Sequence, residues 1–308
     1  MLLEETFNLA YRWNGAVAIG CGVVGGVLVK VTKSKIIPFD VAIGVLIVLA
    51  MVVSKKWNEN YGDETQSVKE VFEQALSVIR KDRKVLLLGI VQSAFESAMY
   101  IFTFIWTPAL QGAFDLRGDY VEKEIPHGIV FATFMAATMI GSVILQYCEK
   151  RNNNSNNNNN GLESTNLHLE MIIRHVCSAG IIIFGLTNLY RHHLWILYSS
   201  FLAFEVICGI YFPAMAAMRT PYIPEEQRSA VLTFFRIPLN LVVVLVLKEE
   251  LELKKVLELC MMLMGVAMLA QYQFIRIVTT EEEDGKKEMK KKVVEMVENG
   301  VRNGDNRV

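Results

Sequence analysis

Long apolar tracts, separated by short charged segments, make up most of the chain between residue 13 and residue 277. A hydrocarbon core about 30 Å thick needs roughly 20 helical residues, because each residue of an α-helix rises about 1.5 Å. Eight tracts are long enough, at 13–30, 36–54, 84–109, 126–147, 170–189, 194–218, 229–247 and 256–277. The pattern therefore predicts an all-α fold, a polytopic membrane helical bundle that has the lipid bilayer as its solvent.

Three charged side chains lie inside these tracts, where a charge is costly. Glu96 stands near the middle of the third tract, Glu205 in the sixth and Arg236 in the seventh. A charge at the centre of a membrane helix costs about 2.5–3.5 kcal/mol on insertion scales, so it usually faces a cavity or a partner. We therefore take these three residues as the first candidates for a functional site.

Glu96 and Arg236 each belong to a stripe of polar residues at helical spacing, which usually points inward in a bundle and can line a water-filled path. The stripes consist of Gln92, Glu96, Tyr100, Thr103 and Thr107 in the third tract, and of Ser229, Thr233, Arg236 and Asn240 in the seventh. The alternative is a structural Glu–Arg pair that holds two helices together, and a gating salt bridge would be both. The predicted translocation path comprises Gln92, Glu96, Tyr100, Thr103, Glu205, Thr233, Arg236 and Asn240.

The tripeptide AFE occurs at 94–96 and again at 203–205, each time near mid-tract and followed by a proline, Pro108 or Pro213. The two tracts are the first and fourth of the block 84–277. Those positions are equivalent in transporters built from inverted three-helix repeats. The prolines would free backbone carbonyls and favour bends, as is common in helices that line a transport cavity.

Composition narrows the class of function. The chain has 308 residues, of which 52% are hydrophobic, and a net charge of −1, which disfavours a nucleic-acid partner. The five cysteines occur singly, so we interpret them as buried free thiols rather than as a metal site or a disulfide framework. The sequence has no P-loop, nucleophile elbow or metal-ligand spacing, and we therefore expect neither an enzyme nor a bound cofactor.

The polar segments divide the chain into four parts. Residues 1–54 hold two spans, and 55–83 form a linker in which Ser67 and Glu70 have capping-box spacing ahead of a predicted surface helix. Residues 84–277 hold six spans, and 278–308 form a charged tail. Lysine and arginine are more frequent on the side that contains both termini, which places the linker, the tail and both ends in the cytosol. The asparagine-rich tract 151–161 is predicted to be a flexible loop.

Several longer strings point to a known family. They are FNLAYRWNGAVAIGCG, WNENYGD, QSAFESAMYIFTFIWTPAL, PHGIVFATFMAATMIGS, FEVICGIYFPAMAAMR and PEEQRSAVLTFFRIPLN, spread over residues 7–240. Together they resemble the molybdate-anion transporter family, a branch of the major facilitator superfamily. The resemblance implies uptake of molybdate by a multi-pass carrier in the cell membrane. Against the family's two six-helix halves, we expect this chain to carry two spans of the first half and all of the second, with about four spans absent.

If the substrate is a tetrahedral dianion, the path needs positive charge and several hydrogen-bond donors. Arg236 would supply a fixed fork, and Glu96 and Glu205 would repel the dianion unless protonated, which would couple uptake to protons. The neutral donors would be Gln92, Tyr100, Thr103, Thr233 and Asn240.

Two other hypotheses stay open. The chain could be a non-transporting membrane protein whose first two helices expose small residues, including Gly22 and Gly26, to a helical partner in another chain. It could also carry another small solute, such as a sugar or an organic anion.

Overall fold

The structure is a computed structural model that describes residues 2–58, 67–116, 118, 125–158, 165–249 and 251–304. In these ranges the chain forms nine α-helices and no strand, as the sequence predicts. They are α1 (Leu2–Thr32), α2 (Ile37–Lys56), α3 (Val68–Lys81), α4 (Arg83–Asp115), α5 (His127–Asn158), α6 (Thr165–Leu189), α7 (Leu194–Arg219), α8 (Glu225–Lys248) and α9 (Leu253–Gly304).

Seven helices of the described part are long and apolar enough to cross a membrane, namely α1, α2 and α4 to α8. They correspond to the first seven predicted spans, which confirms the polytopic all-α fold. The eighth predicted span, 256–277, lies in the first half of α9 and is not one of these seven. Leu257, Cys260 and Phe274 of this span are nevertheless fully buried in the main hydrophobic core. The span therefore packs against the other helices.

The helices α4 to α9 form one packed unit around α4. Within this unit the largest helix–helix interfaces join α4 to α9, α6 to α9, α5 to α7 and α6 to α7, and α8 lies against α4. Two glycines bring α5 and α7 very close together. A Cβ atom on Gly141 would collide with the carbonyl oxygen of Val206, and one on Gly209 would collide with that of Thr138. The crossing therefore requires glycine at both positions.

The two helices α1 and α2 stand at the side of this unit. Gly22 and Gly26 of α1 face Gly128 of α5, where a Cβ on Gly128 would meet the carbonyl oxygen of Gly22. The two glycines therefore serve helix packing inside the chain, and the helical partner in another chain stays a prediction. Helix α2 has no buried residue, and among the described residues its packing partner is α1.

The predicted linker helix forms with the predicted cap. The backbone N–H of Glu70 donates to Ser67 Oγ at 3.3 Å, and the Ser67 N–H donates to Glu70 Oε2 at 3.2 Å. This reciprocal pair satisfies two backbone donors that a helix start leaves open. The helix packs on α8, where Ala75 and Ile79 are buried and the ring of Phe72 meets that of Phe234.

The structure corrects two smaller predictions. Helix α5 continues to Asn158, so most of the asparagine tract is helical rather than a loop. Extending a formed helix requires no new nucleation, and each asparagine costs only about 0.7 kcal/mol of helix propensity relative to alanine. The cysteines are free, but only Cys177, Cys208 and Cys260 are buried, whereas Cys21 is exposed because its helix α1 is largely uncovered.

Candidate translocation site

Glu96 lies where α4 meets α7 and α8. Its carboxyl group is hydrogen-bonded by the side chain of Gln92, and the guanidinium groups of Arg219 on α7 and Arg236 on α8 act on it electrostatically. Arg219 Nη1 in turn donates to Gln92 Oε1 at 2.6 Å. The result is a continuous polar connection from Arg219 through Gln92 to Glu96, which we call the Glu96 cluster, with Arg236 on its other side.

The connection follows from the spacing and the chemistry of Gln92. Residues four apart lie one above the other on a helix, so the Gln92 amide reaches Glu96. A glutamine amide can accept at its oxygen and donate at its nitrogen at the same time, and here it links a cation to a carboxyl group. Gln92 is almost fully buried, with 4% of its surface exposed. Both ends of its amide are therefore occupied within the protein.

Two small residues on α4 bring Arg236 to this cluster. The ring of Phe235 occupies the space that a side chain at Gly89 would need, and the hydroxyl of Ser93 donates to the Phe235 carbonyl at 2.7 Å. Arg236 directly follows Phe235, and Glu96 stands about one turn beyond Ser93 on α4. The close approach of α8 to α4 at Gly89 therefore sets the position of the guanidinium relative to the carboxyl group.

The rest of the two predicted stripes lies on an exposed face rather than in a closed cavity. Tyr100 is 45% exposed, and Thr103, Thr233 and Asn240 are also exposed. Arg236 itself is exposed. The structure thus brings both stripes to one surface of the unit, which we call the polar face and define by Tyr100, Thr103, Thr233, Arg236 and Asn240. In the described part of the chain no helix covers this face.

Two hydroxyls of the polar face are already engaged. Thr103 Oγ1 donates to the carbonyl of Met99 at 3.0 Å, and Thr233 Oγ1 donates to that of Ser229 at 2.9 Å. Both bonds are the local kind that a threonine makes with the preceding helical turn. A ligand on this face would have to draw the two hydroxyls away from their own helices.

Glu205 lies apart from the Glu96 cluster, although the AFE repeat relates the two residues. Its Oε2 lies 2.8 Å from Thr138 Oγ1, whose single O–H donates either to this carboxyl group or to the carbonyl of Phe134, 3.0 Å away. This contact sits beside the close crossing of α5 and α7 at Gly209. Among the described contacts, none connects Glu205 with Glu96 or Arg236, so the structure separates one predicted residue from the others.

Sequence reasoning missed two residues at this site, namely Arg219 in the Glu96 cluster and Tyr211 beside it. Arg219 is the last residue of α7 and lies just outside the sixth predicted tract, 194–218. Tyr211 is fully buried, stacks on Phe95 at 3.8 Å, and has a hydroxyl without a hydrogen-bond partner among the described residues, within electrostatic reach of Glu96 and Arg219. The signal that could have found both is their spacing, because residues eight apart share one helix face.

A second polar cluster lies at the end of the unit where α4 begins. Lys84 Nζ contacts Glu281 Oε2 at 2.7 Å and lies 5.6 Å from the centre of the Tyr222 ring. The Tyr222 hydroxyl donates to Glu170 Oε1 at 3.2 Å. Burial and the neighbouring Glu170 carboxyl raise the pKa of Tyr222, so the phenol stays protonated and can donate. The cluster ties α4, α6 and α9 to the segment between α7 and α8.

Comparison with known proteins identifies the family. A family model described as sugar transporters with 12 transmembrane segments (MFS_5) matches residues 1–175. This chain belongs to that family. It is also 32% identical over 288 residues to molybdate-anion transporters of Xenopus laevis and Xenopus tropicalis, covering 91% of this chain and 60% of each relative. A molybdate-anion transporter of Takifugu rubripes is 32% identical over 274 residues, which are 78% of this chain and 51% of the relative.

These comparisons confirm the predicted resemblance. The chain spans about 60% of the length of the Xenopus relatives. The Xenopus matches extend over both halves of the chain, whereas the family model ends within α6, before Glu205 and Arg236. No solved structure matches the chain significantly.

Proposed function

We propose that this chain is part of a secondary carrier that moves a tetrahedral oxyanion, molybdate or a similar anion, across a membrane. Three relatives that are 32% identical to it over the aligned residues are named molybdate-anion transporters. The observation that carries the proposal is the charge of the Glu96 cluster. Arg219 and Arg236 bring two positive charges and Glu96 one negative charge, which leaves one positive charge beside the polar face, and two when Glu96 is protonated.

In this proposal Arg236 is the residue that recognises the anion. Its guanidinium is exposed on the polar face, and a planar fork of N–H donors matches two oxygens of a tetrahedral anion. Tyr100, Thr103, Thr233 and Asn240 would add neutral donors around it. Gln92, which sequence reasoning placed among those donors, is proposed instead to hold Glu96, because both ends of its amide are occupied.

Glu96 is proposed to couple anion uptake to protons. An ionised Glu96 competes with the anion for Arg219 and Arg236, whereas a protonated Glu96 leaves both cations to the anion. Glu205 is proposed to have a different role at the α5–α7 crossing, since its partner is the Thr138 hydroxyl. We expect that Glu96→Gln uncouples uptake from pH, while Glu205→Gln preserves the pH dependence.

The family description offers a second candidate substrate, because it names sugars. A sugar is neutral and is held by hydroxyl and amide groups, so it would use Tyr100, Thr103 and Asn240 but would not need Arg236. Loss of the Arg236 charge should therefore reduce the transport of an anion much more than the transport of a sugar.

We further propose that the carrier lies in the cell membrane with both termini in the cytosol, that it is not an enzyme, and that further helices cover the polar face. Those helices would complete the first half of the carrier, since the relatives extend beyond the matched region. The alternative is that α2, whose surface is exposed, packs against a helix of another protein. In the carrier with a completed first half, the two halves would rock against each other around a central site and provide alternating access.

The test uses a chimera in which this chain replaces the matching part of the Xenopus laevis relative. The chimera is expressed in cells that lack molybdate uptake, and molybdenum accumulation and sugar uptake are measured in parallel. We expect molybdenum accumulation that Arg236→Gln reduces by about 100-fold, the equivalent of roughly 3 kcal/mol for a lost bidentate charge contact. The matched control is Arg276→Gln, which removes an exposed arginine from α9 far from the polar face. Sugar uptake that Arg236→Gln leaves intact would support the second candidate and contradict the first.

A further inference from the structure

An apolar groove runs along α4 beside the polar face, with α8 and α9 as its two walls. It has a volume of about 390 Å³, and its lining includes Leu86 and Ser97 on α4, Val242 on α8 and Val266 on α9. Leu76 and Ile79 of α3 close one end. The groove exists because α8 and α9 each pack on α4, whereas within the described residues they form no packed pair with each other.

The lining is suited to an apolar occupant. It contains two hydroxyls, and both are engaged: Ser93 Oγ donates to the carbonyl of Phe235 at 2.7 Å, and Ser97 Oγ donates to that of Ser93 at 2.6 Å. A polar molecule would therefore find no free hydroxyl donor here. A hydrocarbon chain would bury its surface against Ile90, Val242 and Val266 without leaving a polar group unsatisfied.

The length of the groove matches one leaflet of a bilayer. Leu86 and Ser97 lie at its two ends on α4, and their separation of eleven residues corresponds to about 16 Å along a helix. Half of a hydrocarbon core about 30 Å thick is about 15 Å. An acyl chain of one leaflet would therefore extend from the end at α3 to the middle of the bundle.

Basic side chains stand at the end where the headgroup of such a lipid would lie. The segment between Ile79 and Leu86 contains three exposed basic residues, Arg80, Lys81 and Arg83. The Nη2 group of Arg83 donates to the neutral side chain of Gln273 at 3.3 Å. The acid in this run, Asp82, is engaged in capping α4, since its Oδ1 accepts from the Lys84 N–H at 2.8 Å. The run from Arg80 to Arg83 thus carries a net positive charge, which complements a phosphate group.

We propose that the α4–α8–α9 groove binds an anionic phospholipid, with one acyl chain between α8 and α9 and the phosphate at Arg80, Lys81 and Arg83. The site is independent of the carrier's substrate, because it shares no residue with the Glu96 cluster or the polar face. The lipid would fill the gap between α8 and α9 and would hold α3 against the start of α4.

Competition between two lipids tests the proposal. The full chain is purified, and native mass spectrometry counts the lipids that it retains from an equimolar mixture of phosphatidylglycerol and phosphatidylcholine. We expect phosphatidylglycerol to be retained at least tenfold over phosphatidylcholine. The double variant R80Q/K81Q should weaken that retention by about 25-fold, since each basic residue near an anionic headgroup contributes roughly fivefold. The control is K254Q/K255Q, which removes two exposed lysines at the opposite end of the bundle and should have no effect.

A second pair of variants tests the acyl-chain position. Val266→Trp fills the groove from its edge, where the side chain is 48% exposed, and should abolish retention of both lipids. Val244→Trp makes the same change on an exposed part of α8 outside the groove and should preserve retention. Equal retention of the two lipids, an unchanged R80Q/K81Q variant, or equal retention by the two tryptophan variants would each overturn the proposal.

Discussion

Removing Arg219 should weaken the unit at the contact between α7 and α4. The hydrogen bond from its Nη1 to Gln92 Oε1 is 2.6 Å long. It joins α7 to α4 through two residues that are 127 positions apart in the chain. A hydrogen bond to a charged group contributes about 1.5–3 kcal/mol, and its loss leaves a buried amide oxygen without a donor. We therefore expect Arg219→Met to lower the free energy of unfolding by about 2 kcal/mol.

A double-mutant cycle separates this bond from general effects of the substitution. Reversible unfolding in mixed micelles gives the free energy for Arg219→Met, Gln92→Leu and the double variant. Because both single variants break the same bond, the coupling energy should be about 1.5–3 kcal/mol. Arg236→Met is the matched control, and we expect at most about 1 kcal/mol, since its guanidinium is exposed and its attraction to Glu96 is screened by solvent. A coupling energy near zero would refute the role assigned to Gln92.

Three further predictions concern packing, electrostatics and orientation. Gly209→Ala should destabilise the unit by about 1–3 kcal/mol in thermal unfolding, because the new Cβ meets the backbone of α5. The control Gly112→Ala in α4 places its Cβ in open space and should be neutral or stabilising by up to about 1 kcal/mol. Lys84→Met should cost at most about 1 kcal/mol, and the loss should shrink at high salt, because its partner Glu281 is about half exposed. The sequon at Asn153 should show no glycosylation-dependent mobility shift in a eukaryotic host, and a shift removed by glycosidase would contradict the proposed orientation.

The parts of the fold that the sequence predicts are those with a local signal. Apolar length predicts each membrane-spanning helix, and the Ser67–Glu70 spacing predicts the start of α3, because both depend on residues close together in the chain. The helical end of α5 was missed because asparagine content suggested a loop, while the backbone simply continues the preceding helix. Packing partners carry no such local signal, and Gly22 illustrates this: its sequence motif predicts a close helix contact but does not name α5 as the partner.

The candidate site was predictable to a similar extent. Glu96 and Arg236 stand out in the sequence because a charge inside an apolar tract is costly, and the structure brings them together at the contact between α4 and α8. Arg219 was missed because it lies at a helix end, where an arginine is ordinarily solvated. Its role depends on the approach of α7 to α4, which the pattern of apolar residues does not determine.

The comparison of Glu96 with Glu205 shows what a sequence repeat can and cannot transfer. Both glutamates follow Ala-Phe, and both phenylalanines are fully buried in the same core. The carboxyl groups, however, meet different chemistry: Glu96 has an amide and two guanidinium groups, and Glu205 has the Thr138 hydroxyl. In the proposed carrier, a substrate anion would take the place of Glu96 beside its two cations, whereas none of the described contacts offers a cation at Glu205. The repeat thus gives the two acids the same local sequence, while the neighbouring helices give them different partners, and the proposed exchange with an anion concerns Glu96.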